Sequence, residues 1–204
     1  MAGNLWDRRY GGADYLFGEE PNAFLQRQNH RLRPGWTALA LADGEARNGV
    51  WLAQQGLSVL SVDSSAVAQE KGRRLAAARG VSLDFQLEDL EHWKWPERQF
   101  DLVVAIFIQF AGPSLRTRLF EGMQTALKPG GLLLLEGYRP EQIAYGTGGP
   151  SAVENLYTED ILRTGFPRLE ILELREHDTT ITEGAGHRGM SALIDLVARL
   201  PVAP

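Results

Sequence analysis

The chain has 204 residues, 44% hydrophobic and 23% charged, with 26 acidic against 21 basic side chains and a net charge of −5. That size supports one α/β domain with a full core, and the acidic balance disfavours nonspecific nucleic-acid binding in favour of a small-molecule partner. With no cysteine, disulfides, thiolate metal sites and cysteine nucleophiles are excluded, and no apolar run resembles a signal peptide or a membrane span.

Taken in order, residues 4–20 (N-L-W-D-R-R-Y-G-G-A-D-Y-L-F-G-E-E) are aromatic but broken by glycine. Trp6, Tyr10, Tyr15 and Phe17 follow neither helical nor strand periodicity, so an irregular arm packed on the domain is expected. A lid over a ligand is the functional alternative, since lids need hinges and apolar faces. Pro21 is placed to open a helix with Phe24, Leu25 and Leu32 on its apolar side, ending before Arg33-Pro34-Gly35.

Residues 37–42 read as a buried strand that passes through A-D-G-E into a helix from about Arg47, stopping at Gly56. A small-residue turn of this kind lets backbone amides and a helix N-terminus approach a ligand. Further strands are expected at 57–62, 81–86, 100–107, 132–135 and 169–174, with helices at about 65–79, from Pro113 or Ser114, and near 158–164. Residues 93–99 suit a surface loop, and 137–157, rich in glycine and proline, a long one. Residues 182–189 look like a turn. Residues 190–200 fit either pattern, with Leu193 and Val197 favouring helix and Ala192, Ile194 and Leu196 favouring strand.

This alternation implies a doubly wound parallel sheet, whose ligands bind beyond the carboxyl ends of the strands. The residues to read for chemistry are therefore Asp43-Gly44, Asp63, Asp89, residues 106–109 and 136–138. Asp63 follows Gly44 by roughly 20 residues, the spacing at which a carboxylate reaches both hydroxyls of an adenosine ribose. Its alternative is a helix N-cap, but Ser64 and Ser65 can cap that helix. Asp89 either accepts from an adenine amino group or is a solvated loop acid. Asp43 either faces a ligand cation or forms the turn.

The motifs L-A-L-A-D-G-E-A-R-N, S-V-D-S-S, E-D-L and A-L-K-P-G-G-L-L-L-L-E, in that order, resemble a class I S-adenosylmethionine-dependent methyltransferase. The opening W-D-R-R-Y and Y-L-F-G-E-E-P-N-A-F-L, with the closing E-G-A-G-H-R-G, resemble a small bacterial subgroup related to tellurite-resistance and thiopurine-type methyltransferases. The resemblance implies a Rossmann-like seven-stranded sheet in the order 3-2-1-4-5-7-6 with strand seven antiparallel, which makes residues 190–200 a strand. It implies a single methyltransferase domain over 1–204, with residues 1–35 as the arm and helix capping the cofactor.

It also implies that Ala42, Asp43 and Gly44 cradle the methionine part of S-adenosyl-L-methionine, that Asp63 with Ser64 holds the ribose, and that Asp89 and Leu90 flank adenine. Ile106 passes backbone beside the cofactor, and Tyr10, Tyr15 and Phe17 cover it. Arg47 and Asn48 open the first helix, either toward the cofactor or as turn contacts. The sequence departs from the family where Ala40 replaces the usual acid and Ala42 and Ala46 replace glycines, so Asp43 supplies the displaced carboxylate. Gln109 stands where relatives tend to have histidine.

Methyl transfer mainly requires an acceptor lone pair aligned with the C–S bond and exclusion of water, with a base only where a proton must leave. Acceptor-side candidates are Glu136, Tyr138, Tyr145 and His187, with Arg47, Arg139 and Arg188 as anion clamps. His187 and Tyr138 are the expected catalytic groups. The expected partner is a small-molecule methyl acceptor, with no metal, nucleic acid or membrane, in a cytoplasmic monomer or homodimer. Rival readings are a non-catalytic cofactor-binding protein and a nicotinamide-dependent oxidoreductase. The latter lacks its G-x-G-x-x-G, since A-D-G-E-A-R stands there.

Overall fold

The computed structural model describes residues 3–202. The apolar runs become strands: β1 (Thr37–Leu41), β2 (Ser58–Asp63), β3 (Asp84–Leu87), β4 (Phe100–Ile106), β5 (Leu127–Tyr138), β6 (Glu170–Glu183) and β7 (His187–Arg199). They form one seven-stranded sheet in the order β3-β2-β1-β4-β5-β7-β6. β1, β2 and β3 pair in parallel, as do β4 and β5, while β7 runs antiparallel to β5. The helices are α1 (Gly3–Tyr10), α2 (Ala23–Arg27), α3 (Arg47–Gln54), α4 (Ala66–Ala78), α5 (Pro113–Ala126), α6 (Gln142–Tyr145) and α7 (Glu159–Gly165). None is long and apolar enough to cross a membrane.

Two compact units emerge. One holds the chain up to Trp93 together with Glu183–Gly186, and the other holds Lys94–Thr182 and the chain from His187 on. In the first, Ala46, Val50, Leu75 and Ala76 form a core under Tyr15, Val81, Leu83 and Phe85. In the second, Leu133, Leu134 and Leu135 are wholly buried in β5. Each such leucine contributes about 1.5–3 kcal/mol relative to exposure.

The expected elements need several corrections. Residues 3–10 form a helix rather than an irregular arm, because Trp6 and Tyr10 lie one turn apart and stack at 5.8 Å. Asn22, not Pro21, starts α2: its side chain accepts from Leu25 N, and the helix tightens into a 3₁₀ turn over Gln28–Arg31. The third strand spans only four residues, because Val81 N closes the end of α4 by bonding Ala76 O. Residues 137–157 are not one long loop, since β5 runs to Tyr138 and α6 and a 3₁₀ turn (Val153–Asn155) follow. The turn expected at 182–189 narrows to Gly184–Gly186 as β6 and β7 extend into it. The last segment is a strand; residues 191–198 are buried throughout, so no alternation marks it.

Candidate active site

After β1 the backbone takes the left-handed conformation at every second residue: Ala42 (φ 46°), Gly44 (φ 56°) and Ala46 (φ 62°). Glycine adopts it freely, whereas each alanine there costs roughly 1–2 kcal/mol. The alternation exposes the Gly44 amide, which donates to Asp63 Oδ2 at 2.8 Å, while Ser65 N donates to Oδ1 at 2.8 Å. Ser65 caps α4 by accepting from Ala68 N, so Asp63 is not the cap. Burial pushes the Asp63 pKa up against these amide bonds. The Ser64 amide bonds the carboxylate as well, and such an acceptor group suits the hydroxyls of a diol.

Asp43 turns inward. Its carboxylate accepts from Ser61 Oγ at 2.9 Å and from Gly49 N at 3.2 Å, and burial pushes its pKa up to about 7. A side chain at Gly49 would collide with it: an added Cβ would lie 2.4 Å from Asp43 Oδ2. Ser64 is half-buried beside Asp63. Glu88 N donates to Asp63 O, which sets Asp89 and buried Leu90 next to the end of β2. The Asp89 carboxylate accepts from Glu91 N.

The arm covers this turn. Tyr10 is buried with its hydroxyl so close to Gly44 that a Cβ there would lie 2.5 Å from it. Burial, then the Asp63 charge, pushes the Tyr10 phenol far above its usual range. Phe17 meets Tyr10 edge-on at 6.1 Å. Tyr15 points elsewhere, donating to Lys71 O.

Two residues that the sequence reading passed over fasten the arm. Glu45 pairs with Lys71 at 2.8 Å, and the two side chains are 3% and 5% exposed. Glu45 also accepts from Leu16 N, and Lys71 donates to Asp14 O. No local pattern marks a mid-helix lysine as the partner of a turn glutamate. Gly184 backs onto the same arm, where a Cβ would fall 2.5 Å from Leu16 O and from Gly18 N. Arg47 is engaged by Glu183 at 2.6 Å and by Glu20 O, and Asn48 Oδ1 accepts from Asn22 N. Both side chains hold turns.

In the second unit, β4 ends at Ile106, and Phe107 follows in the left-handed conformation (φ 55°). A bulky residue there is a genuine outlier. Its ring stacks on Tyr138 at 4.7 Å and meets His187 edge-on at 4.4 Å, with Tyr138 and His187 5.8 Å apart. The expected catalytic pair is thus brought into one aromatic cluster, because antiparallel β7 starts beside the end of β5. Gln109 accepts from Tyr138 N and donates to Tyr138 O and Asn155 O, a tie between loop and strand.

Tyr145 is partly exposed and donates to Asp178, whose acceptance of that bond raises the phenol pKa. Arg139 is engaged by Asp178, Glu176 and Glu141, and Arg188 is exposed. Glu136 lies buried opposite Asp195 of β7, with His177 of β6 beside it. Neither His177 nor Asp195 stood out in the sequence.

Comparison with known proteins agrees with this geometry. Residues 38–131 match the family model described as a methyltransferase domain. An uncharacterized methyltransferase of Synechocystis is 30% identical over 125 residues, covering 60% of this chain and 57% of that protein. The chain thus spans a little over half the length of this curated relative. Among solved structures, one from a study of disulfide-to-thioacetal conversion in echinomycin biosynthesis superposes with a TM-score of 0.80 at 19% identity, covering 100% of this chain and 93% of that one. A SAM-dependent methyltransferase from Methanosarcina mazei gives 0.71 at 17%, covering 90% and 100%. TehB from Haemophilus influenzae gives 0.71 at 17%, covering 97% and 66%. At such identities the structural likeness is one of fold. The family match thus covers a little under half of the chain, from β1 to the start of β5, and the strand order is the one these solved structures share as a fold.

Proposed function

We propose that this protein transfers a methyl group from S-adenosylmethionine to a small-molecule acceptor. The observation that carries the reading is the Asp63 carboxylate, held at the end of β2 by the amides of Gly44 and Ser65. In this reading Asp63, with Ser64, accepts the ribose hydroxyls, Asp89 and Leu90 border adenine, and Ala42, Asp43 and Gly44 follow the methionine portion. Asp43 acts there through the backbone it fixes, and Arg47 and Asn48 shape the turn. Tyr10 and Phe17 close over Gly44 and keep water out, while Tyr15 anchors the arm to α4.

The bound cofactor supplies an electrophilic methyl. On the acceptor side, His187 and Tyr138 present an imidazole and a phenol within one aromatic cluster, and Ile106 and Phe107 supply the backbone leaving β4. His187 is the candidate to take a proton from an acceptor that must lose one. One observation favours a second reading, cofactor binding without transfer: the left-handed Ala42 puts a methyl group on the turn that would follow the methionine portion.

Calorimetry with S-adenosylhomocysteine tests the first step. Saturable binding by wild type, weakened at least about tenfold in Asp63→Asn, is expected from the loss of charge-assisted hydrogen bonds. No binding by wild type would overturn both readings. Binding without methylation in a panel of thiols, amines, carboxylates and metalloid oxyanions would select the second.

A further inference from the structure

We propose that Glu136, His177 and Asp195 form a binding site for a divalent first-row transition-metal ion. The three residues come from β5, β6 and β7, and one ligand atom of each lies within 4.8 Å of the others. Glu136 and Asp195 are direct register partners across the β5–β7 ladder. His177 reaches them from β6, the edge strand, with Nε2 3.1 Å from Asp195 Oδ2.

That distance is informative. Imidazole nitrogen and carboxylate oxygen bind such ions at about 2.0–2.2 Å, so neighbouring ligands on one ion sit about 3.0–3.4 Å apart. The two are hydrogen-bonded to each other in this structure, and an ion replacing that bond would need little change in their separation. A rotamer adjustment within the 4.8 Å span brings in Glu136 as the third donor.

Burial adds to this. Glu136 and Asp195 are 2% and 1% exposed, so two carboxylates and an imidazole meet away from competing water. The guanidinium of Arg139 is turned to Glu176 and Asp178, which flank His177 in sequence and so project from the other face of β6.

One imidazole with two carboxylates suits manganese, iron, cobalt or zinc better than magnesium or calcium, which favour all-oxygen sets. The His177 side chain is 13% exposed at the sheet edge and gives the ion an entry path. Three protein donors leave positions for water or for a heteroatom of a ligand. The inference does not rest on methyl transfer.

The test is titration of the metal-free, full-length protein with Co²⁺, read by its visible d–d absorption, with Zn²⁺ competition and metal analysis after dialysis. A second candidate cluster among the described residues, Asp89, Glu91 and His92, is more exposed and lies in the first unit, so His92→Ala serves as the control. Wild type and His92→Ala are expected to bind about one equivalent. His177→Ala and Asp195→Asn should weaken binding at least about tenfold while the far-ultraviolet spectrum is kept. The proposal is overturned if wild type shows no saturable uptake at ~1 mM Co²⁺, the range of a weak site. It is equally overturned if His177→Ala binds as wild type does, or if only His92→Ala loses the ion. Because cofactor is absent from this assay, its failure leaves S-adenosylhomocysteine binding to be judged separately.

Discussion

The amide of Gly44 donates to the carboxylate of Asp63 at 2.8 Å, which locks the turn after β1 to the end of β2. Asp63→Ala would strand the amides of Gly44 and Ser65 in a buried setting. It should cost about 1–3 kcal/mol in urea unfolding, whereas Asp63→Asn retains an acceptor and should cost less. Equal stability for wild type and Asp63→Ala would show that the carboxylate does not organise the turn.

Asp43 sets a pH dependence of defined sign. Its pKa rises from 3.8 in the unfolded chain to about 7 when folded, so the native state retains a proton that the unfolded state gives up. Its contribution is therefore most favourable below about pH 4, declines as pH rises to about 7, and levels off above. Asp43→Asn can accept from Gly49 N and donate to Ser61 Oγ without titrating. The stability of the variant relative to wild type should increase from pH 4 to pH 8, by no more than about 4 kcal/mol. A difference independent of pH would contradict this.

The left-handed alanines make different predictions from their surroundings. Ala42 is half-buried, so Ala42→Gly relieves strain at little packing cost and should stabilise by up to about 1 kcal/mol. Ala46 is wholly buried in the core with Val50 and Leu75, so Ala46→Gly should be near neutral, strain relief offsetting a lost methyl contact. Gly72→Ala would bring a Cβ to 2.8 Å from that of Ala46 and 2.9 Å from Phe85, and should cost about 1–3 kcal/mol. Thermal melts of the three variants distinguish these outcomes.

Lys71→Met leaves the Glu45 carboxylate buried without its ammonium. A loss of about 3–5 kcal/mol is expected, with much of it recovered in the double variant Glu45→Leu/Lys71→Met. The arm should also become sensitive to limited proteolysis within residues 11–18, because Lys71 holds Asp14 O.

How much was legible follows from what each segment does locally. β1, β2 and β4 are apolar runs bounded by turn residues, so they could be read, and with them the place of Asp63 at the end of β2. β7 could not be assigned by period, since burial on both faces erases alternation, and the family resemblance decided it. Trp6 and Tyr10 carried a helical spacing that neighbouring glycines obscured. Glu45 with Lys71, and His177 with Asp195, meet only through tertiary packing, 26 and 18 residues apart, and nothing in either local pattern names its partner.

Gly184 presses against the backbone of Leu16–Gly18 with no room for one more carbon. What fits the hairpin tip to the arm is therefore an omitted atom, a fastening that neither acid nor salt loosens. Enlarging that residue would pry Tyr10 and Phe17 away from Gly44 while Asp43 and Asp63 keep their own hydrogen bonds, separating what the cover does from what the acids beneath it do.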